Sequence, residues 1–311
     1  MIVRSTDGTL IFGESFRTSK ARGALLVVHG MGEHGGRYDE LVEHALKLRF
    51  DVHVMDLRGH GRSAGTRGHF TDISQHHEDL DAWIAHLVTT GELSDAMPCV
   101  LLGHSLGGLI ALTYAAKYVA RPLAPQLSGL VLSAPLLGLK LSPLKLVEAQ
   151  VARNIPTFLR SIQVPSGIKA SDLSHDKDEV ERYLQDPMVH SWITPAAYIA
   201  IERALGTLPK IFPQLGIPTF FMLSGKDKVV DTAAAQAFAN KLSIAHPGRV
   251  EVKLFHSFFH EPFHELRRER AFLELKKWIL ACILMSSPPD PAKKGSSKSS
   301  GRGATAKGTS P

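Results

Sequence analysis

The residues from 98 to 116, read PCVLLGHSLGGLIALTYAA, constrain what this chain can fold into more than any other stretch. Cys99, Val100, Leu101 and Leu102 make an apolar run with the length of a buried parallel strand. The run stops at Gly103-His104-Ser105-Leu106-Gly107-Gly108, after which small and apolar residues continue at helical length. The pattern predicts a strand, a sharp turn and a helix. A serine at such a turn projects its hydroxyl above the sheet, and glycines beside it supply clearance that a Cβ would block. Ser105 then stands at a helix start, where unpaired N–H groups and the positive dipole end can stabilise an oxyanion. It is the candidate nucleophile. The five-residue Gly-x-Ser-x-Gly pattern recurs by chance, so the strand before it and the helix after it carry the weight of this reading.

Strand and helix signals alternate around this stretch. The chain opens with a hairpin pattern, Ile2-Val3 and Leu10-Ile11-Phe12 around Asp7-Gly8. Strand signals follow at 24–29, 52–57, 129–135, 218–224 and 250–255, with helix signals at 37–47, 73–90, 233–242 and 266–284. Such alternation predicts an α/β fold, a mostly parallel sheet with helices on both faces, with active groups at the carboxyl ends of the strands. The rhythm breaks between Pro135 and about Pro213, where helical segments at 144–154 and 178–185 surround a turn-rich Val164-Pro165-Ser166-Gly167. The expected organisation is a core over 1–135, an inserted helical cap over 136–213, the rest of the core over 214–285, and a disordered basic tail over 286–311. Leu144, Val147, Val151 and Ile155 recur at helical spacing in the cap. They face either the core or an acyl chain or lipid surface.

Charge bears on partners only through its location. The formal charge is +6, but from Ser286 onward five basic residues (Lys293, Lys294, Lys298, Arg302, Lys307) face one acid, Asp290, leaving +2 for the rest. A nearly balanced body argues against a nucleic-acid enzyme. Two cysteines, Cys99 and Cys282, both in apolar surroundings, read as buried thiols rather than a disulfide framework. With no signal-peptide pattern at the N-terminus, a reducing cytoplasm is the expected compartment, with peripheral membrane contact through the cap.

A serine hydroxyl needs a base, and the base an orienting carboxylate. Both follow in the order Ser, Asp, His, each just past a strand signal. Asp227 is the nearer carboxylate after 218–224, and Asp231 suits a helix cap. After 250–255 three histidines compete, His256, His260 and His264. His260 precedes a helix that Pro262 can start and is the candidate base. The oxyanion hole needs a second N–H beside that of Leu106. Met31, in the Gly-flanked turn His29-Gly30-Met31-Gly32-Glu33-His34, is its candidate. A rival motif overlaps the base: His260-Glu261-Pro262-Phe263-His264 satisfies the HExxH pattern of zinc peptidases. That chemistry needs both histidines on one face of a continuous helix, and Pro262 between them argues against it. No metal and no cofactor is expected.

Five motifs in order, 29–38, 56–63, 103–108, 224–231 and 259–261, resemble the monoacylglycerol lipase and lysophospholipase-like group of α/β-hydrolases. The likeness runs from the first hairpin to about Leu284 and includes the cap segments 171–176 and 186–190. The resemblance implies an α/β-hydrolase fold, a triad of Ser105, Asp227 and His260, and an oxyanion hole from the Met31 and Leu106 N–H groups. It also implies a cap shaping an apolar acyl tunnel, a lipid ester substrate, and polar contacts from Glu33 and Arg37 to the glycerol end, with mutual pairing of Glu33 and Arg37 or bracing of the turn as the other reading of those two residues. The chain departs from the family pattern at Phe263, where the lipases carry a histidine three residues past the base.

Overall fold

The computed structural model describes residues 1–94, 97–119, 127–140, 150, 153–211 and 214–286. The strands are β1 (Ile2–Arg4), β2 (Leu10–Phe16), β3 (Gly23–Val28), β4 (Phe50–Met55), β5 (Cys99–His104), β6 (Leu127–Ser133), β7 (Val164–Pro165), β8 (Trp192–Ile193), β9 (Thr219–Ser224) and β10 (Val250–Phe255). Eight of them form one sheet in the order β1-β2-β4-β3-β5-β6-β9-β10. The β1–β2 and β2–β4 pairs are antiparallel, and every pair from β4 to β10 is parallel. This is the α/β-hydrolase arrangement.

Side-chain alternation along these strands feeds two separate cores. Leu26 and Val28 of β3, Leu101 of β5, and Leu130 and Leu132 of β6 pack on one face. Leu25, Val27, Val100, Leu102 and Val131 pack on the other. Successive strand residues point to opposite faces, so a run that is apolar at every position must be covered on both sides. Helices α1 (Asp39–Lys47) and α7 (Glu269–Ser286) cover the second face through Leu41, Val42, Phe272, Leu275 and Ile279. Helices α2 (Ser74–Thr89), α3 (Leu106–Val119) and α6 (Thr232–Ala245) cover the first, together with α5 (Pro195–Thr207) of the inserted segment.

Helix α4 (Lys177–Gln185) matches the helix expected at 178–185. The sequence reading lacks α5, although its start is signposted: Thr194 accepts from the Ala197 N–H and Pro195 opens the first turn. Val164 and Pro165, read as part of a turn, pair instead with Ile193 and Trp192 in a two-residue antiparallel ladder. Leu144, Val147 and Val151, and the basic tail beyond Ser286, lie outside the described residues. Among those that are described, no helix is long and apolar enough to cross a membrane.

Strand order decides where a site can form. The chain leaves β3 for β4 on one side and reaches β5 on the other, so the loops after β3 and β5 part at a switch point. The turn after β3 carries Met31 and the turn after β5 carries Ser105. Glycines let these backbones close up. A Cβ on Gly107 would lie 2.2 Å from the Val28 carbonyl oxygen and 2.3 Å from that of His29. Gly107→Ala is therefore expected to cost about 1–3 kcal/mol, read as a lower urea midpoint at unchanged slope. A midpoint equal to that of the native protein would refute this account of the turn.

Candidate active site

Ser105 sits between β5 and α3 with a φ of 52°, a left-handed conformation that costs a non-glycine residue energy. Surrounding bonds hold it there. Its N–H donates to the Ser133 carbonyl at 3.0 Å, and its own carbonyl accepts from Gly108, Leu109 and Leu136. A Cβ on Gly103 would meet the Gly107 carbonyl oxygen at 2.2 Å, so glycine here lets the strand and the helix start press together.

The structure brings Ser105, Asp227 and His260 together from three strand ends. His260 Nε2 lies 2.9 Å from Ser105 Oγ, and His260 Nδ1 lies 2.8 Å from Asp227 Oδ2. The carboxylate accepts a hydrogen bond from Nδ1–H, which leaves Nε2 to accept from the serine hydroxyl. The other carboxylate oxygen of Asp227 accepts from the Val229 and Val230 N–H groups, which fixes the carboxyl plane. All three side chains are buried. Burial disfavours the imidazolium of His260, yet the charge and hydrogen bond of Asp227, with Glu261 and Glu33 behind it, outweigh that and raise its pKa above the ordinary 6.5. Burial likewise opposes ionisation of Asp227, but His260 and the two N–H groups hold its pKa below the ordinary carboxylate value.

The other candidates are placed as distinctly. Asp231 caps α6, accepting from the Ala233 and Ala234 N–H groups. His256 is exposed. His29 is buried and structural: Leu57 N–H donates to its Nε2, and its Nδ1–H donates to the Gly30 carbonyl. His264 turns away from Ser105, with Nε2 on the Arg37 carbonyl at 2.8 Å and Nδ1 on Glu261 at 3.0 Å. Both nitrogens of His260 and both of His264 are thus engaged by different partners and share no point where one ion could bind them.

Met31 and Leu106 line the same cavity as Ser105, and Leu106 opens α3, where the helix leaves its N–H unpaired. The Met31 turn stands close to the serine, since a Cβ on Gly30 would lie 3.1 Å from Ser105 Cβ. That cavity, about 220 Å³, is walled by Leu136, Leu139, Ile168, Ile193, Ile201 and Val230 among others. Five of these six side chains are partly or fully buried against the core.

Glu33 and Arg37 do not sit free beside the serine as the glycerol contacts the resemblance implies. Glu33 accepts from Gly30 N–H, the Tyr38 hydroxyl and Arg37, and Arg37 spends its remaining fork on Glu261. The sequence reading met Glu261 in the HExxH motif and in the 259–261 motif without giving it a role, and did not single out Tyr38 or Tyr183. Their signal was present in part: Glu261 adjoins the candidate base, and Tyr38 follows Arg37.

A strained serine at a strand–helix turn, a histidine on its hydroxyl and a buried carboxylate behind it, on this sheet, define an α/β-hydrolase of the serine hydrolase class. The sequence profile described as "Serine aminopeptidase, S33" matches residues 19–267, and the chain belongs to that family. It is 30% identical over 266 residues to a monoacylglycerol lipase of Mycolicibacterium smegmatis, covering 84% of this chain and 89% of the lipase. It is 26% identical over 264 residues to the phospholipase YtpA of Bacillus subtilis, covering 84% and 98% of the two chains. A crystal structure of the Paleococcus ferrophilus monoacylglycerol lipase superposes with a TM-score of 0.73 at 26% identity, covering 88% of this chain and 99% of that one. The chain is a serine hydrolase of the monoacylglycerol lipase, lysophospholipase and esterase group.

As the candidate base His260 must be neutral to act, so the direction of its shift predicts an acid limb of kcat/KM displaced upward from that of an ordinary histidine. Asp227→Asn removes the charge that raises it while burial remains. The expected result is a loss of about 10⁴ in kcat and a limb displaced to lower pH. A pH–rate profile of Asp227→Asn with the native limb would contradict this account.

Proposed function

We propose that this chain hydrolyses carboxylic esters of single-chain lipids, monoacylglycerols foremost, through an acyl-enzyme on Ser105. One observation carries the reading: the Ser105 hydroxyl, 2.9 Å from His260 Nε2, opens into a cavity of about 220 Å³ walled mainly by aliphatic side chains. An acyl chain gains free energy by leaving water for such a wall, at roughly 25 cal/mol per Å² buried. Similarity to the Mycolicibacterium smegmatis monoacylglycerol lipase supports the same substrate class.

In this mechanism His260 Nε2 takes the proton of Ser105 as the oxygen attacks the acyl carbonyl. Asp227 stabilises the resulting imidazolium, and the Met31 and Leu106 N–H groups bind the oxyanion. His260 then gives its proton to the departing alcohol. Water repeats the sequence on the acyl-enzyme and frees the fatty acid. No step requires a cofactor. The segment 136–213 acts as the cap: Val164, Ile168, Ile193 and Ile201 come from it to wall the cavity. Its exposed Phe158, Ile162 and Trp192 suit contact with a monolayer or micelle that delivers the substrate.

A lysophospholipid is the second substrate reading. Among the described residues, Lys140, Lys169 and Lys228 line the cavity against one lining carboxylate, Asp172, which pairs with Lys228 at 3.2 Å. An excess of ammonium groups favours an ester that carries phosphate.

The deciding assay follows p-nitrophenyl esters of increasing chain length, then a monoacylglycerol and a lysophospholipid of equal chain, with native protein and Ser105→Ala, each with and without a chelator. Rates should rise from acetate to longer chains, fall by roughly 10⁴–10⁶ in Ser105→Ala, and ignore the chelator. Faster turnover of the lysophospholipid would favour the second reading. Loss of activity to the chelator with none to Ser105→Ala would overturn the serine mechanism.

A further inference from the structure

The HExxH motif gives His260 to the site, but its Glu261 and His264 are used for something other than metal. Arg37 NH1 donates to Glu261 Oε1 at 2.8 Å and NH2 to Oε2 at 2.7 Å, a two-pronged pairing. NH1 also donates to Glu33 Oε2 at 2.8 Å, and Glu33 Oε1 accepts from the Gly30 N–H at 2.6 Å and the Tyr38 hydroxyl at 2.9 Å. Glu33 thus grips the turn that presents Met31, Glu261 follows His260 directly, and one guanidinium joins them. His264 closes the ring: its Nδ1 reaches Glu261 and its Nε2 the Arg37 carbonyl. Both partners are acceptors, so the protonated form of His264 can donate to both, and Glu261 favours that form against burial. The inserted segment braces the unit from a third side, with the Tyr183 ring 4.8 Å from the guanidinium and the Leu173 carbonyl accepting the Glu261 N–H at 2.9 Å.

We propose that Arg37 and Glu261 are positioning residues, whose pairing holds the turn bearing the Met31 N–H and the loop bearing His260 in one fixed relation above Ser105. The proposal rests on the triad and oxyanion roles argued above. Its ground is the placement of these charges. The side chains of Arg37, Glu33 and Glu261 are only 8%, 2% and 5% exposed. A buried ion cluster is a poor source of stability beside well-packed apolar side chains, and its best-attested use is to specify register. Here the elements put in register are two loops that share no strand pairing: β3 and β10 lie far apart in the sheet. Arg37 has both terminal nitrogens committed to carboxylates, which leaves it a brace rather than a grip for substrate.

The same placement gives the pairing an electrostatic signature. His260 is faced by Asp227 on the loop after β9, by Glu261 on its own loop, by Glu33 on the turn after β3, and by the neutral His104 ring at 4.9 Å on β5. Lys140 donates to the Asp227 carbonyl, and Lys228 lies over the Phe259 ring at 4.0 Å. Glu261 and Glu33 favour the imidazolium of His260, and Arg37 balances part of their charge.

The test uses full-length native protein, Glu261→Gln and Arg37→Lys, each titrated with a fluorophosphonate so that rates are counted per labelled Ser105. Glu261→Gln keeps the shape and removes the charge. Its kcat per site should fall about 10-fold or more, with KM within about threefold, and the acid limb of kcat/KM should move to lower pH. Arg37→Lys keeps the charge and loses the fork, so its kcat per site should fall about 10-fold with the limb in place. A merely structural role would lower the labelled fraction and leave the per-site kcat and the limb untouched. That result in both variants overturns the proposal, and if Glu261→Gln does not fold, unchanged per-site turnover in Arg37→Lys overturns it alone. Native protein that the probe fails to label at Ser105 would overturn the functional reading itself, and this proposal with it.

Discussion

The fold turns on how closely three backbone segments approach at Ser105. The start of α3 presses against the end of β3 so tightly that no side-chain atom fits at Gly107, and against β5 so tightly that none fits at Gly103. Ser105 pays for that approach with a left-handed backbone conformation. In return the serine hydroxyl stands above the sheet at the floor of the cavity, beside the free N–H groups of a helix start. The turn after β3 is then drawn within contact of the serine, and the remaining groups must reach one spot from β9 and β10.

Four histidines near that spot show how partners assign roles to one type of side chain. His29 is bound by backbone groups on both nitrogens, and burial pushes its pKa down. His104 bonds the Ser133 carbonyl, and burial, with His260 close by, pushes it down to about 4. His260 has a carboxylate on one nitrogen and a hydroxyl on the other, and the carboxylate raises its pKa against burial. His264 has a carboxylate and a carbonyl, and although burial and Arg37 oppose its charge, Glu261 raises its pKa. Burial works the same way on all four, and a carboxylate in direct contact with a ring nitrogen, present only at His260 and His264, reverses the sign.

The inserted segment packs on the core through α5 and is tied by hydrogen bonds to the loops of the site. His34 pairs with Asp186 at 2.7 Å, His190 N–H donates to the Gly32 carbonyl, Ser174 donates to the His264 carbonyl, and His175 pairs with Glu265. These residues fall in the two segments, 171–176 and 186–190, that carry the family likeness outside the core. A wall built this way shapes the cavity and steadies the loops beneath it.

Local pattern determined much of this protein. The apolar runs at 99–102 and 220–223, the Gly-rich turns and the placing of Asp227 and His260 just past strands depend on short-range chemistry, and the structure puts those elements where the pattern predicts. Asp231 as a cap was legible for the same reason, because it acts on the next turn of its own helix; His29 was legible only in part, since the Leu57 N–H that holds its Nε2 is 28 positions away. The rest was decided by contacts between residues distant in sequence. Arg37 and Glu261 are 224 positions apart, so nothing local shows that they pair and take Arg37 away from substrate. The ladder of Val164 with Ile193 and the wall that α5 gives the cavity are of the same kind. Backbone propensity and hydrophobic period act over a few residues, whereas the cost of burying a charge is settled only when the tertiary structure supplies its partner.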